Sequence, residues 1–277
     1  MSHHEVSPVL LADILSVSNA TVEKWAKSGR IQPLANGCYA LSDLIEFPQI
    51  KQMLNSQWDT ELNVKPTRKY QSIELFAGVG GLAIGLEKAG FEAVALNEID
   101  AAACNTLRHN RPQWNVLQSD IKEIDFSAFQ DIDFLSGGFP CQAFSYAGNK
   151  LGFEDTRGTL FFEFAQAIKT LQPKVFLGEN VRGLLSHEKG RALAAIKDVI
   201  AELGYTLIEP TVLKAIFYKV PQKRERLFLV GIRNDLVPYA QFSWPAPYHR
   251  VMTLKDGLKA GELYPTDCPE SQGQHYP

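Results

Sequence analysis

The chain has 277 residues, 45% of them hydrophobic and 21% charged, which is typical of a globular protein with one sizeable α/β domain and a smaller one. No apolar run reaches the roughly 18 residues of a membrane span and no signal peptide is evident, so we expect a cytoplasmic protein without a membrane partner. The four cysteines form no C-x-x-C pair, which argues against disulfides and a bound metal, and a net charge of −3 excludes a chain that is basic throughout.

The N-terminal part of the chain predicts two short helices joined by a turn. Apolar residues recur at helical spacing in residues 9–15 and again in residues 20–28. Ser18 or Asn19 can cap the second helix, because their side chains accept hydrogen bonds from free backbone N–H groups, and Gly29 can end it. A helix-turn-helix is therefore expected near the start of the chain.

Residues 31–41 predict a short hairpin, and a third helix is expected from Ser42. Together with the two helices, this arrangement resembles the small winged helix-turn-helix of excisionase and MerR-type proteins. We accordingly expect a winged helix-turn-helix-like domain at 1–50 and a linker at 51–69. Residues 1–69 contain seven Lys or Arg and seven Asp or Glu, so the sequence leaves open whether this domain contacts DNA, docks another protein or is purely structural.

A second domain begins with a strand, a glycine turn and a helix. Residues 72–76 predict a short buried strand, residues 77–81 the turn and residues 82–89 the helix. Glycines in such a turn let the backbone approach a nucleotide cofactor at the helix N-terminus. The spacing Gly78-x-Gly80-Gly81 is not the G-x-G-x-x-G of a dinucleotide site. A methionine sulfonium fits it better, because it needs no pyrophosphate cradle.

Two acidic positions follow predicted strands. Glu98 follows a strand at 91–96 and lies near the ~20 residues after a glycine turn that are expected of a carboxylate bonding ribose hydroxyls. We favour Glu98 over Asp100, because Asp100 is placed to cap the helix at 101–109. Asp120 follows another short strand and is either a further ligand or a helix cap.

Cys141 stands on a loop directly after a buried strand. Residues 132–135 form the apolar run that predicts the strand, and Gly137-Gly138 and Pro140 shape the loop that follows. In open α/β sheets, ligands bind at the carboxyl ends of the strands. A thiol displayed there is a candidate nucleophile, and the alternative is a packed small hydrophobe, the commoner fate of a free cysteine.

A carboxylate is expected on the same rim as the cysteine. Residues 173–178 predict the next strand, and Glu179 follows directly. Reactive groups at the carboxyl ends of adjacent strands can meet in one cleft. We therefore expect Glu179 near Cys141.

A basic segment follows later in the chain. Gln222, Arg224 and Arg226 alternate, which would put all three on one side of an extended segment. The alternative is a solvated charged edge. Further basic residues nearby supply a local positive patch that the net charge hides: Lys214, Lys219 and Lys223.

The run Gly138-Phe139-Pro140-Cys141-Gln142, followed by Phe144-Ser145, resembles the catalytic motif of the DNA (cytosine-5)-methyltransferases of bacterial modification type. The resemblance implies an α/β fold, with a Rossmann-like S-adenosylmethionine-dependent methyltransferase domain at 70–250 whose mostly parallel sheet has helices on both faces. It also implies S-adenosyl-L-methionine as the cofactor, double-stranded DNA as the partner and a role in a restriction-modification system.

The same resemblance assigns the site residues. The implied cofactor-binding set is Phe76, Gly78, Gly80, Gly81, Glu98, Ile99, Asp120, Ile121 and Pro140. The implied catalytic set is Cys141, Glu179, Gln222, Arg224 and Arg226. In this family the cysteine adds to C6 of a cytosine that has been flipped out of the duplex, and the methyl group goes to C5.

Residues 251–277 resemble the passage just before the family's target-recognition region, and that region is expected to be missing from this chain. The chain is then either an incomplete enzyme or the catalytic subunit of a split methyltransferase that a second polypeptide completes. Two other functions stay open. One is an RNA cytosine-5 methyltransferase, because a tRNA-directed branch shares the Pro-Cys-Gln loop, and the other is a regulatory DNA-binding protein that uses residues 8–50.

Overall fold

The structure is a computed structural model that describes residues 5–56, 65–140 and 159–248. The chain divides into two compact units, each with its own hydrophobic core. The helical unit contains residues 1–64, 214–224 and 244–277, and the sheet unit contains residues 65–213 and 225–243.

The described part of the helical unit combines three α-helices with one pair of short strands. The helices are α1 (Pro8–Leu15), α2 (Asn19–Lys27) and α3 (Pro48–Leu54), and the strands β1 (Glu5–Val6) and β2 (Tyr39–Ala40) pair antiparallel. Buried apolar side chains from all three helices form the core, among them Leu11, Ile14, Leu15, Val22, Ile50 and Met53.

Serine caps explain where the first two helices begin. The Ser7 hydroxyl accepts a hydrogen bond from the Leu10 N–H at 3.3 Å, and the Ser18 hydroxyl accepts one from the Thr21 N–H at 3.2 Å. Each satisfies a backbone donor that has no partner within the helix. The prediction of a cap at Ser18 is thus confirmed.

The predicted hairpin at 31–41 forms its turn around Asn36 and Gly37, but its two arms do not pair as strands. β2 pairs with β1 from the start of the chain, and the Leu34 N–H bonds the Cys38 carbonyl at 2.7 Å in a closed turn. The third helix also begins later than Ser42, because residues 41–44 form a 3₁₀ turn. α3 starts at Pro48, whose fixed φ suits the first helical position.

The unit boundaries differ from the predicted domain boundaries. α3 includes the first residues of the segment that was expected to be a linker, and it buries Ile50 and Met53. Ile216 and Phe217, which were assigned to the catalytic domain, are buried in the core of the helical unit. Local apolar periodicity could not indicate these contacts, because the partners are far apart in the chain.

The sheet unit is built on one mixed sheet. Its strands in the described residues are β3 (Tyr70–Leu75), β4 (Phe91–Glu98), β5 (Val116–Gln118), β6 (Phe134–Gly137), β7 (Val175–Val181), β8 (Tyr205–Leu207), β9 (Thr211–Lys214) and β10 (Glu225–Arg233). Neighbours follow the order β5-β4-β3-β6-β7-β10-β8, and β9 also pairs with β10. The first five of these strands are parallel, and β10 is antiparallel to β7 and β8. The prediction of a mostly parallel sheet is confirmed.

Four helices of the described residues accompany this sheet: α4 (Gly81–Lys88), α5 (Ala101–Asn110), α6 (Leu160–Leu171) and α7 (Arg191–Glu202). The core is rich in aromatic residues, with the rings of Phe164 and Phe176 buried and 6.0 Å apart between centroids. Because β3 to β7 are parallel, their carboxyl ends lie at one edge of the sheet, where ligands of α/β proteins bind.

β7 is longer than predicted, so Glu179 lies inside this strand rather than after it. Residues 175–181 pair with β10, with Glu179 opposite Phe228 and Val181 opposite Arg226. The polar residues after Gly178 interrupt the apolar run, which is why the sequence pattern ended the strand too early.

A buried carboxylate lies at the opposite edge of the sheet. Asp133 is 5% exposed and accepts hydrogen bonds from the Arg68 guanidinium, from Lys174 Nζ at 2.6 Å and from the Gln71 N–H at 2.9 Å. The bond to Arg68 is the main reason why the pKa of Asp133 lies well below its usual range. These partners explain how an acidic residue is tolerated beside an apolar strand.

Candidate active site

The turn between β3 and α4 has a left-handed backbone at three positions. Phe76, Gly78 and Gly80 have φ values of +56°, +55° and +86°. Glycine adopts such values at little cost, whereas the conformation of Phe76 is strained. A β-carbon at Gly80 would lie 2.7 Å from Leu107 and 3.2 Å from Trp114, whereas at Gly78 it would face open space. Gly80 thus serves packing, and Gly78 leaves room beside the turn.

Glu98, at the end of β4, ties that strand to the glycine turn. Its Oε2 accepts a hydrogen bond from the Gly78 N–H at 2.7 Å, and its Oε1 accepts one from each N–H of Ile99 and Asp100, both at 2.8 Å. Asp100 caps α5 by accepting from the Ala103 N–H at 2.8 Å, as predicted. The structure therefore brings Glu98 and the glycine turn together, and the contact of Glu98 with a ribose stays a prediction.

The ends of β4 and β5 are joined through Asn97. Its side-chain amide is 2% exposed and donates to two backbone carbonyls at the end of β5, at 3.3 and 2.9 Å. This places Asp120 and the buried Ile121 at the strand end next to Glu98. Asp120 accepts from the Lys122 N–H at 3.0 Å, so it is a cap, and its contact with an adenine stays a prediction.

These strand ends suit a nucleoside such as the adenosyl part of the cofactor that the sequence implied. Val79 and Ile99 are 61% and 66% exposed, so large apolar side chains stand in solvent next in sequence to Gly78 and Glu98. Apolar surface together with a few oriented polar groups is typical of a cofactor site. The open space beside Gly78 adds room for close approach to the backbone.

The loop that leads towards Cys141 passes beside Glu179. A β-carbon at Gly138 would lie 3.2 Å from Oε2 of Glu179. Phe139 is buried, with its ring 5.4 and 5.5 Å from two phenylalanine rings of α6. Pro140 is exposed at the end of this described stretch. Cys141 itself lies outside the described residues, so its role stays a prediction.

Asn180 is a site residue that the sequence reasoning did not assign to the site. It is 2% exposed, its Nδ2 donates to the Phe139 carbonyl at 2.8 Å, and its Oδ1 accepts from the Val181 N–H at 2.8 Å. The first bond joins β7 to the loop after β6. The available signal was a polar residue inside a strand, because a buried amide needs hydrogen-bond partners.

Arg226 fixes one side of the Glu179 carboxylate. Arg226 Nε lies 2.7 Å from Glu179 Oε1, and the side chains are only 24% and 21% exposed. The two residues are diagonal neighbours on β10 and β7, a spacing that long side chains can bridge. With Gly138 on its other side, the Glu179 carboxylate is held beside the described stretch that ends at Pro140.

Gln222 and Arg224 do not share an extended strand with Arg226. The Arg224 N–H donates to the Gln222 carbonyl at 2.9 Å, which closes a tight turn, and β10 begins only at Glu225. The first two residues belong to the helical unit and Arg226 to the sheet unit. The prediction that all three lie on one side of an extended segment is therefore wrong, and the catalytic role of Gln222 and Arg224 stays a prediction.

Residues 5–56, 65–140 and 159–248 were also compared with the requirements of a membrane span, a metal site and a second reactive cysteine. Within these ranges, no helix has both the length and the apolar character needed to cross a bilayer. The same ranges hold no group of three His, Cys, Asp or Glu side chains suited to a metal ion. Cys104 is buried, and burial raises the pKa of its thiol, so it is a packing residue and not a reactive one.

Comparison with known proteins assigns the family. Residues 70–272 match the model of the C-5 cytosine-specific DNA methylases. The chain is 55% identical to the Type II methyltransferase M.Eco47II of Escherichia coli over 283 residues, which covers 100% of this chain and 68% of the relative. It is 53% identical to M.PspPI of a Psychrobacter strain, covering 98% of this chain and 67% of that protein.

Solved structures agree on the fold. A DNA modification methyltransferase encoded within an Escherichia coli prophage superposes with a TM-score of 0.58 at 30% identity, covering 69% of this chain and 55% of that one. DNMT2 of Spodoptera frugiperda superposes with a TM-score of 0.52 at 23% identity, covering 66% and 57%, a likeness of fold alone. The chain thus matches little more than half the length of these solved proteins.

The parallel sheet, the glycine turn tied to an acidic strand end and the match over most of the chain agree with one another. The chain belongs to the C-5 cytosine-specific DNA methylases of the Type II restriction-modification kind, enzymes that act on DNA and use S-adenosyl-L-methionine as the methyl donor.

Proposed function

We propose that this chain methylates C5 of a cytosine flipped out of duplex DNA, through a covalent adduct between Cys141 and C6. The position of the Glu179 carboxylate carries the proposal. It lies 3.2 Å from the β-carbon position of Gly138, three residues before Cys141, and 2.7 Å from Arg226. An oriented carboxylate beside a loop that displays a thiol can hold the edge of a base while the thiol attacks its ring.

The reaction needs a nucleophile because C5 of cytosine is too weakly nucleophilic to accept a methyl group unaided. The Cys141 thiolate adds to C6, and the electron pair of the C5–C6 double bond becomes available at C5. S-adenosylmethionine, when bound, supplies an electrophilic methyl group for that carbon. Release of the C5 proton to solvent and expulsion of the Cys141 thiolate restore the double bond.

The surrounding side chains hold the base and the loop in this proposal. Glu179 bonds the N3 and N4 edge of the cytosine, and Arg226 keeps the carboxylate turned towards it. Asn180 fixes the backbone just before Pro140 and thereby the approach of the loop. Gln222 and Arg224 are proposed to contact the base or a neighbouring phosphate.

Glu98 is proposed to hold the ribose of the cofactor. A carboxylate offers about four acceptor positions, and the backbone N–H groups of Gly78, Ile99 and Asp100 take three. A remaining position can accept a ribose hydroxyl without loss of these bonds. We propose that Gly78 contacts the cofactor through its backbone and Ile99 through its side chain. The other proposed cofactor contacts are Phe76, Gly80, Gly81, Asp120, Ile121 and Pro140.

The protein must hold the DNA duplex firmly enough to offset the cost of extruding the target base. Extruding a base costs a few kcal/mol, and specific readers bury about 1,000 Å² or more of protein surface on DNA. The Type II relatives extend beyond the matched region by about a third of their length. We propose that a region equivalent to that third reads the DNA sequence, on the same polypeptide or on a second one.

A mechanism-based trap tests the proposal. Duplex DNA of mixed sequence, with 5-fluorocytosine in place of cytosine, is incubated with S-adenosylmethionine and the protein, with and without the polypeptide that matches the remaining third of the relatives. We expect a covalent protein–DNA adduct that Cys141→Ala abolishes, because fluorine at C5 blocks the final elimination.

Two outcomes would contradict the proposal. An adduct that persists in Cys141→Ala would assign the attack to another residue. In a parallel assay, the protein is given labelled S-adenosylmethionine with either DNA or transfer RNA. A label that enters transfer RNA and not DNA would show that the substrate is RNA.

A further inference from the structure

The helical unit includes a segment from far along the chain. Residues 214–224, termed here the docked segment, connect β9 to β10 and bury Ile216 and Phe217 at 5% and 7% exposure. Both side chains belong to the same core cluster as the apolar faces of the N-terminal helices. The core of this unit is therefore completed by the docked segment.

Asp13, on α1, holds both ends of the docked segment. Its backbone carbonyl accepts a hydrogen bond from Lys214 Nζ at 2.5 Å, and its Oδ2 lies 2.7 Å from Lys223 Nζ. The Ala215 N–H donates to the Arg224 carbonyl at 2.9 Å and closes the segment into a loop. One residue of α1 thus contacts the docked segment near both of its ends.

The docked segment carries two of the residues that are implied in catalysis. Lys223 stands between Gln222 and Arg224, so the contact with Asp13 lies in the middle of that motif. The backbone here turns tightly, with the Arg224 N–H bonded to the Gln222 carbonyl at 2.9 Å, and no strand ladder supports it. Two residues further on, Arg226 is paired with Glu179.

The docked segment is positively charged, so a nearby anionic group stabilises it. It contains four basic residues and no acidic one: Lys214, Lys219, Lys223 and Arg224. Among the described contacts of this segment, the carboxylate of Asp13 lies against Lys223. The Asp13 side chain is 29% exposed and that of Lys223 is 69% exposed, so solvent partly screens the pair.

We propose that the N-terminal helices form a platform that positions the docked segment for methyl transfer, and that Asp13 is a positioning residue acting through Lys223. This assignment rests on the proposed function, because only there are Gln222 and Arg224 given a role in catalysis. It is distinct from a DNA-reading role of the same helices, which would use exposed cations such as Lys24 and Lys27 on α2.

A double-mutant cycle in the complete, DNA-methylating enzyme tests the positioning role. Asp13→Asn, Lys223→Gln and the double variant are compared for kcat, for KM towards DNA and towards S-adenosylmethionine, and for hydrogen exchange of residues 214–224. We expect each single variant to lower kcat about tenfold or more, because small misplacements of site residues are costly, and the double variant to be no worse. Hydrogen exchange in the docked segment should be faster in the variants than in the wild type. Their KM for S-adenosylmethionine and their melting temperature should equal the wild-type values within error.

The matched control removes two other cations of the helical unit, in a Lys24→Gln, Lys27→Gln variant, which should keep the wild-type kcat. Additive losses in the cycle would show that Lys223 acts on DNA independently of Asp13 and would overturn the proposal. Unchanged hydrogen exchange in Asp13→Asn would overturn it as well. Wild-type enzyme that forms no 5-fluorocytosine adduct would refute the proposed function instead, and the exchange comparison, which needs no turnover, would still decide whether Asp13 holds the segment.

Discussion

The side-chain amide of Asn180 donates to the carbonyl oxygen of Phe139 at 2.8 Å, and both residues are buried. Asn180→Ala leaves that carbonyl without its partner, so we expect the free energy of unfolding to fall by about 1–3 kcal/mol in urea titrations. The loop before Cys141 should also loosen, which slows adduct formation with 5-fluorocytosine. Asn115 offers a matched control, because its amide bonds the Val94 carbonyl at 3.2 Å on the surface. An equal effect of Asn115→Ala would contradict the role of Asn180.

Glu98→Gln should weaken the binding of S-adenosylmethionine. The substitution keeps the shape of the side chain and removes the charge from bonds that are worth roughly 1.5–3 kcal/mol, so calorimetry should show a loss of about tenfold to a hundredfold. Glu92→Gln, on an exposed part of the same strand where Glu92 lies 3.9 Å from Lys69, should bind as the wild type does. Indistinguishable affinity of the Glu98 and Glu92 variants would remove Glu98 from the cofactor site.

Two glycines of the cofactor turn should differ in their tolerance of alanine. At both positions the left-handed backbone costs a side chain about 1–2 kcal/mol. At Gly80 the added β-carbon also meets Leu107 at 2.7 Å, and such overpacking costs typically 1–3 kcal/mol more. We expect Gly80→Ala to lower the free energy of unfolding more than Gly78→Ala in chemical denaturation. The reverse order would mean that the turn relaxes around Gly80.

Glu74 should make stability fall as the pH rises. It is 4% exposed in β3, and burial raises its pKa to about 8, against the opposing hydrogen bond from the Ala83 backbone. Between the unfolded value near 4.3 and pH 8, the folded state binds the extra proton, so the free energy of unfolding drops by up to ~1.4 kcal/mol per pH unit.

The loss of stability due to Glu74 is complete above the folded pKa, so the useful comparison is between pH 5 and pH 8. Glu74→Gln lacks this titration. Its stability relative to wild type should rise over that interval and then level off, as measured by urea unfolding at each pH. A constant difference from pH 5 to pH 8 would contradict a raised pKa.

The parts of the site that the sequence predicted correctly depend on local signals. The glycine turn, the cap at Asp100 and the start of the strand that ends at Glu98 each follow from residue types within one strand–turn–helix stretch, although this strand runs two residues further than predicted. The motif around Cys141 is equally local and identified the family, although that residue lies outside the described ranges. Local rules suffice here because caps and left-handed turns are decided by a few neighbouring residues.

The parts that the sequence missed depend on partners remote along the chain. Nothing near Asn180 indicates that the Phe139 carbonyl needs a donor, and nothing near Asp13 indicates Lys223. The alternation of Gln222, Arg224 and Arg226 also led to a wrong prediction, because it assumed an extended backbone where the chain turns. Such contacts are set by tertiary packing, which periodicity does not encode.

The shared core of the helical unit has a consequence for synthesis on the ribosome. Residues 5–56 emerge first, but Ile216 and Phe217 follow only about 160 residues later. At about 5–20 residues per second, the N-terminal helices wait on the order of ten to thirty seconds with part of their apolar surface uncovered. The nascent chain therefore passes through a prolonged stage in which this apolar surface is open to aggregation or to chaperones, and slowing translation before residue 216 should lower the yield of folded enzyme.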